Sequence, residues 1–435
     1  MKRGFLWLSA AGLAGLGALA SLVWVLNARG DWDAGDAPAT ALAASANEQV
    51  ARGGYLARAG NCMSCHSTAG GPPWAGGLGL ATPFGTVFSS NLTPDPATGI
   101  GRWNADDFWR ALHNGRAKDG RLLYPAFPYT SYTQVSRADS DALFAYLRSL
   151  PPVVQPNRPH ALRWPYSTQL ALAVWRALSF TPGRYAPDAA KSAEWNRGAY
   201  LVRGLGHCGA CHAPRNALGA TDGDLDLAGG LIPVQNWYAP SLALDSEASV
   251  AGWDRRHVVE LLKTGVTERG SVSGPMAEVV ARSTQYLSDA DLQAMAAYLQ
   301  DLPDRAEAPP GAPVAAAPAT QPGARATHGA KLYEQHCAQC HGDAGQGVPR
   351  AYPPLAGNRA VTLDPPANLV QMVLNGGFAP ATAGNPRPFG MPPYALVLSE
   401  RDVADVLTYI RGAWGNRAPG VSEFDVSRYR GGGND

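Results

Sequence analysis

Three stretches of the chain repeat one pattern of apolar and polar positions. "VSRADSDALFAYLRSL" (135–150), "LSDADLQAMAAYLQDL" (287–302) and "LSERDVADVLTYIRGA" (398–413) each carry apolar side chains three and four residues apart, the stripe of an amphipathic helix. Leu143, Phe144 and Leu147 in the first have counterparts in Met295, Ala296 and Leu299, and in Val406, Leu407 and Ile410. Ser136, Ser288 and Ser399 stand where an N-cap belongs, with Asp139, Asp291 and Asp402 three residues on, a variant of the capping box. A second shared pattern lies well upstream of each: "GGYLARAGNCMSCH" (53–66), "GAYLVRGLGHCGACH" (198–212) and "GAKLYEQHCAQCH" (329–341). Tyr55, Leu56 and Ala59, or Tyr200, Leu201 and Leu205, recur at helical spacing. Each repeat therefore opens and closes on a helix.

Outside the repeats the pattern changes. Residues 4–26 form an uncharged, mostly apolar run of 23 residues after Lys2 and Arg3 and before Asp31 and Asp33. At ~1.5 Å per residue this spans a bilayer, and its flanks orient the amino end inside. A cleaved signal peptide is the competing reading, with Ala18-Leu19-Ala20 resembling its cleavage site. The apolar continuation through Val23, Trp24, Val25 and Leu26 favours a retained anchor, and both readings export the rest of the chain. "STQLALAVWRALSF" (167–180) predicts a helix with Leu170, Val174, Trp175 and Leu178 on one side. It reads as a helix packed between domains or as one resting on a membrane, the latter supported by Trp164, Trp175 and Phe180 beside Arg163 and Arg176. "EAPPGAPVAAAPATQPGARAT" (307–327) is a Pro/Ala linker.

Composition narrows the class. The chain has 435 residues, a formal net charge of +1 and no long basic run, which excludes nucleic acid as the main partner. Its 46% hydrophobic and 16% charged content describes a globular or membrane-associated protein. All six cysteines fall into three pairs, "CMSCH" (62–66), "CGACH" (208–212) and "CAQCH" (337–341). Each is C-x-x-C-H, the attachment signature of haem c. Two thiols one helical turn apart meet the two haem vinyl groups, and the next residue is placed to ligate iron. Zinc or a redox dithiol fits three copies with no spare Cys poorly. The expectation is an all-α protein: three tandem small cytochrome c domains with an N-terminal transmembrane helix. Its parts are an anchor (1–30), a first domain (47–155), a connecting segment (156–190), a second domain (191–305), a linker (306–326), a third domain (327–420) and a tail (421–435).

The expected haem-binding residues are Cys62, Cys65, Cys208, Cys211, Cys337 and Cys340, with His66, His212 and His341 as proximal iron ligands. Distal ligands should come from the loop before each closing helix. Met276 and Met391 fill that place in the second and third repeats, and Met/His ligation raises the potential relative to bis-His. Met295 and Met372 lie on apolar helical stripes and are expected in cores. In the first repeat, aligning "WNADDFWRALHNG" (103–115) with "WDRRHVVELLKTG" (253–265) puts Phe127 at the methionine position. The first iron is then open, ligated by a partner protein, or ligated by His113, the nitrogen donor that stands where the second repeat has Lys263. A haem-edge or surface histidine is the alternative for His113. Trp103 and Trp253 are expected to wall haem pockets, and Arg215 to meet a propionate, with ordinary packing an equal contender.

"NLTPDPATGIGRW" (91–103), "LYPAFPY" (123–129), "WNRGAYLVRGLGHCGACHAPRN" (195–216) and "YLSDADLQAMAAYL" (286–299) resemble the tri-haem cytochrome c subunits of membrane-bound periplasmic dehydrogenases that oxidise alcohols, aldehydes, gluconate and sorbitol. The resemblance covers roughly residues 47–420. It implies three covalently attached haem c groups, a catalytic dehydrogenase subunit as partner, ubiquinone as acceptor, and a place at the periplasmic face of the inner membrane. Phe127 departs from the methionine the family often has there. The "PAFPY" form resembles the cytochromes that accompany molybdopterin and iron–sulfur aldehyde dehydrogenases, so that is the expected partner, with a PQQ alcohol or FAD polyol dehydrogenase as the alternative. A haem enzyme or sensor with an open first iron is the reading from another class.

Overall fold

The computed structural model describes residues 2–29, 45–221, 223–303 and 324–430. By contacts the chain divides into two compact units. One comprises Met1–Ala57, Cys62–Pro187 and Arg203–His207, and the other Arg58–Asn61, Asp188–Val202 and Cys208–Asp435.

In each repeat the opening helix crosses the closing helix at a glycine. The pairs are Ala46–Ala59 on Arg137–Ser149, Ala193–Ala199 on Asp289–Gln300, and Ala324–His336 on Glu400–Gly412. At the crossings Gly53 lies on Ala142 and Tyr146, Gly198 on Ala294 and Tyr298, and Gly329 on Asp405 and Tyr409. A Cβ at any of the three would meet a backbone carbonyl of the partner helix far inside van der Waals distance. An arginine on the opening helix then pairs with a carboxylate on the closing one: Arg52 with Asp139, Arg197 with Asp291 through two 2.8 Å bonds, and Arg325 with Asp405 at 2.6 Å. The closing helices begin as expected, with Ser136, Ser288 and Ser399 each accepting from the backbone N–H three residues on. The third repeat packs Val370, Leu374, Val403, Leu407 and Ile410 into one core. Val426 and Tyr429 of the Glu423–Arg430 helix join it, so the segment expected as a tail contributes buried side chains. Residues 431–435 and most of the expected Pro/Ala linker lie outside the described residues.

Two parts of the expected fold class are corrected. The protein is not all-α: Gly79–Thr82, Gly85–Phe88 and Ala161–Leu162 form a three-stranded antiparallel sheet, and three further antiparallel strand pairs follow in the second unit. These strands are two to four residues long, too short to show a period of two. Gly85, at φ 121°, occupies a backbone region closed to other residues and starts the second strand.

The expected transmembrane helix is the second correction. Residues Lys2–Asn27 do form a helix, but among the described residues no helix is long and apolar enough to cross a membrane. Eleven of the 23 residues in the uncharged run are Ala, Gly or Ser, which add little transfer energy. The helix also ends on a polar clasp. The Asn27 amide donates to the Ala173 carbonyl at 2.8 Å, its oxygen accepts from Arg176 at 3.0 Å, and Arg116 donates to its backbone carbonyl at 3.0 Å. The receiving helix, Gln169–Ser179, buries Leu172 and Arg176 and exposes Leu170, Val174 and Leu178. Most of its apolar stripe thus faces outward, contrary to a helix packed between domains.

Candidate haem sites

Each C-x-x-C-H motif winds a single helical turn: Cys62–Cys65, Gly209–His212 and Ala338–His341. The histidine N–H donates to the carbonyl of the first cysteine, at 3.1 Å for His66, 2.9 Å for His212 and 3.0 Å for His341. First thiol and imidazole are therefore one turn apart on the same side. The ring orientation repeats too. Nδ1 lies 2.7 Å from the Ser90 carbonyl in His66, 2.7 Å from the Pro240 carbonyl in His212 and 3.0 Å from the Pro353 carbonyl in His341. A carbonyl only accepts, so Nδ1 carries the proton and Nε2 is left with its lone pair, the tautomer that binds a metal.

Burial pushes the first thiol of each pair up, to about 12 for Cys62, about 12 for Cys208 and about 11 for Cys337. Burial also holds His66, His212 and His341 below the ordinary imidazole value, so the rings are neutral. Yet none of these residues is closed off from the surface. They are shielded by the fold and still reachable, as covalent attachment of a group to the thiols requires. Two thiols and an imidazole nitrogen on one helical turn are the donor set that haem c requires, and the residues present fit it.

The distal loops differ between sites. Met391 pairs with Gly377 across a two-stranded ladder and packs on the core that also touches Cys337, Ala338 and Tyr394. Tyr394 donates to the His336 carbonyl at 2.7 Å, tying this loop to the residue before the haem cysteine. Met276 sits in the first turn of the Gly274–Arg282 helix, just after Pro275. The Trp237 ring covers Gly274 there. Phe127 faces the Tyr132 ring, centroids 5.4 Å apart. Tyr132 lies beside the Cys62 thiol, so Phe127 belongs to an aromatic group next to Cys62. Met295 is buried in its closing helix, whereas Met372 is half-buried with its sulfur beside Gly377.

His113 is fully buried. Its ring stacks on Trp109 at 4.5 Å and its Nδ1 meets the Thr133 carbonyl at 2.8 Å. Lys263, its counterpart, likewise reaches across to a carbonyl just ahead of the next closing helix, that of Leu287. Both side chains tie the end of one helix to the approach of another. Arg215 spends its guanidinium on the Gly219 and Ala210 carbonyls, bracing the haem-binding turn. Arg269 and Arg359 both lie over the Trp253 ring, at 5.5 and 5.7 Å. Trp103 is half-buried, its backbone N–H donating to the Ile100 carbonyl. Sequence reasoning missed Tyr132 and the three carbonyls behind the histidines. Backbone acceptors carry no side-chain signal, and Tyr132 had only its place in an aromatic-rich loop.

Paired thiols, an oriented imidazole and helices crossing at glycine make this a c-type cytochrome. The cytochrome c family matches residues 50–151 and 326–414, with the second motif between them. The alcohol dehydrogenase (quinone) cytochrome c subunit of Komagataeibacter europaeus is 41% identical over 396 residues, 88% of this chain and 84% of that one. The gluconate 2-dehydrogenase cytochrome c subunit of Pantoea cypripedii is 40% identical over 395 residues, 88% and 89% of the two chains. A nicotinate dehydrogenase subunit of Pseudomonas putida is 41% identical over 420 residues, 94% of this chain but 34% of that protein. The chain belongs to the family of multi-haem cytochrome c subunits of dehydrogenase complexes. Such a subunit binds haem c covalently and moves electrons for a catalytic partner.

Proposed function

We propose that the chain holds three haem c groups, one per motif in modules 47–155, 191–305 and 327–420, and relays electrons from a dehydrogenase subunit to ubiquinone. The carrying observation is the threefold repeat of one geometry: thiols on a helical turn and a histidine whose Nδ1 is fixed by a carbonyl. Haem bound there would supply a ferric/ferrous couple that takes one electron at a time. Cys62, Cys65, Cys208, Cys211, Cys337 and Cys340 hold the macrocycles, and His66, His212 and His341 offer Nε2 to iron. Met276 and Met391 would each offer a thioether sulfur to iron. Phe127 offers none, and His113 is fully buried and stacked on Trp109 whereas His66, His212 and His341 remain reachable, so we assign His113 a packing role. Trp103, Trp253 and Arg215 shape and brace the pockets.

Quinone as acceptor is supported by the name of the alcohol-oxidising relatives. The partner is a molybdopterin and iron–sulfur dehydrogenase, supported by the "PAFPY" form of the first site. Haem attachment and the partner both favour modules outside the cytoplasm. Intact mass of the purified protein should exceed the polypeptide by three haems, and Cys208→Ala/Cys211→Ala should remove one. Co-expression with candidate catalytic subunits should retrieve the molybdenum enzyme. A mass gain of two haems sinks the tri-haem reading, and retrieval of a quinoprotein or flavoprotein sinks the choice of partner.

A further inference from the structure

The peptide unit behind each axial histidine is wired differently at the three sites. The carbonyl that receives His212 Nδ1 belongs to Pro240, and the N–H of that same peptide, on Ser241, donates to a Glu247 carboxylate oxygen at 2.6 Å. The Tyr238 hydroxyl also donates to Glu247, at 3.2 Å. At the first site the carbonyl is that of Ser90, and the N–H of its peptide, on Asn91, donates to the neutral amide oxygen of Asn157 at 2.7 Å. At the third the carbonyl is that of Pro353, and residue 354 is proline. That peptide has no N–H at all.

A hydrogen bond at one end of a peptide polarises the other end, and a carboxylate acceptor does so more strongly than an amide. A more negative carbonyl draws harder on the Nδ1 proton. The ring then gives more electron density to iron through Nε2, which favours the ferric form. The weakest carbonyl should make the longest bond, and the His341 contact, 3.0 Å against 2.7 and 2.7 Å, is the longest. Burial raises the Glu247 pKa, and its bonds from Ser241 and Tyr238 oppose that rise.

We propose that this peptide relay grades the haem potentials, with Glu247 pulling the second down, Asn157 acting weakly on the first and Pro354 leaving the third untouched. Of the two sites that share Met/His ligation, the second therefore lies below the third, and an electron on the second moves downhill to the third. The inference rests on the tri-haem reading above. Glu247 and Asn157 are positioning residues, since each acts through the peptide behind the histidine.

The test is spectroelectrochemical titration of the haem-loaded protein, with haem content by intact mass on the same samples. Glu247→Gln should raise the ratio of reduced to oxidised second haem at fixed electrode potential by three- to tenfold, where tenfold is about 59 mV for one electron. The third haem should not move, and the His212 ring-proton resonances should shift with the potential. Asn157→Asp should lower the first haem alone, and it answers the question even where Glu247→Gln fails to fold. Full haem content with unmoved potentials, a uniform shift of all three haems, or a second haem already above the third in the unaltered protein overturns this inference alone. A second motif without haem in the unaltered protein overturns the functional reading and this inference with it.

Discussion

A thioether sulfur at residues 276 and 391, and a phenyl ring at 127, would make the three proposed haem sites unequal. Met276→Ala removes a sulfur and puts nothing in its place, so carbon monoxide bound per reduced protein should rise by one relative to the unaltered chain. An unchanged stoichiometry would mean that Met276 does not hold the second iron. His113 shows where sequence reasoning stopped. Alignment with Lys263 located a nitrogen donor, but spacing could not say whether the ring stayed reachable or was buried against Trp109. His113→Ala should leave the first haem's spectrum intact. It should cost about 1–3 kcal/mol for the unsatisfied carbonyl, plus a cavity beside Trp109. Thermal unfolding and the visible spectrum measure the two effects separately. A changed spectrum returns His113 to the iron.

At the scale of elements, what had a period was legible and what depended on single close contacts was not. The closing helices and their serine caps follow from apolar spacing and capping chemistry. The short strand pairs escaped because two to four residues carry no alternation. The shared glycine of the repeats was visible as a letter, yet only the crossing shows its purpose. Gly198→Val should force the Asp289–Gln300 helix away from its partner and destabilise the second unit by more than about 3 kcal/mol, the scale of a severe overpacking. Calorimetry showing less than about 1 kcal/mol would mean the crossing relaxes freely. The Ala105–Asn114 helix offers a test by pH. Burial works to raise the Asp107 pKa, but bonds from Lys118, the Asn104 N–H and Arg110 outweigh it, and the net shift is downward. A folded pKa below the unfolded one stabilises above the unfolded value, ~3.9, and the benefit is lost as pH falls through the folded pKa. Asp107→Asn should therefore lower the melting temperature at neutral pH and converge with the unaltered protein in acid. Parallel melting curves across that range would contradict it.

For the whole molecule, three repeats were legible from three motifs, but not which of them would share a unit. That depends on a side chain imitating backbone. The Asn368 amide, on the third repeat, accepts from the Tyr238 N–H and donates to the Tyr238 carbonyl, both at 2.8 Å. It completes the outer edge of the Trp237–Ala239 strand, which runs directly into Pro240, as another strand would. No periodic signal marks such a residue. Arg359 adds a bond to the Asp245 carbonyl at 2.7 Å, and Thr382 one to the Thr264 carbonyl at 3.2 Å. Second and third repeats should therefore unfold together, in one calorimetric transition. Asn368→Ala deletes both amide bonds and leaves a strand N–H and carbonyl to find water, a loss of about 1–3 kcal/mol. Because that loss falls on the contact between repeats, the transition should split while each repeat keeps its haem and its spectrum. A single transition merely shifted to lower temperature would show that the apolar contacts around Tyr238, not the Asn368 amide, couple the two repeats.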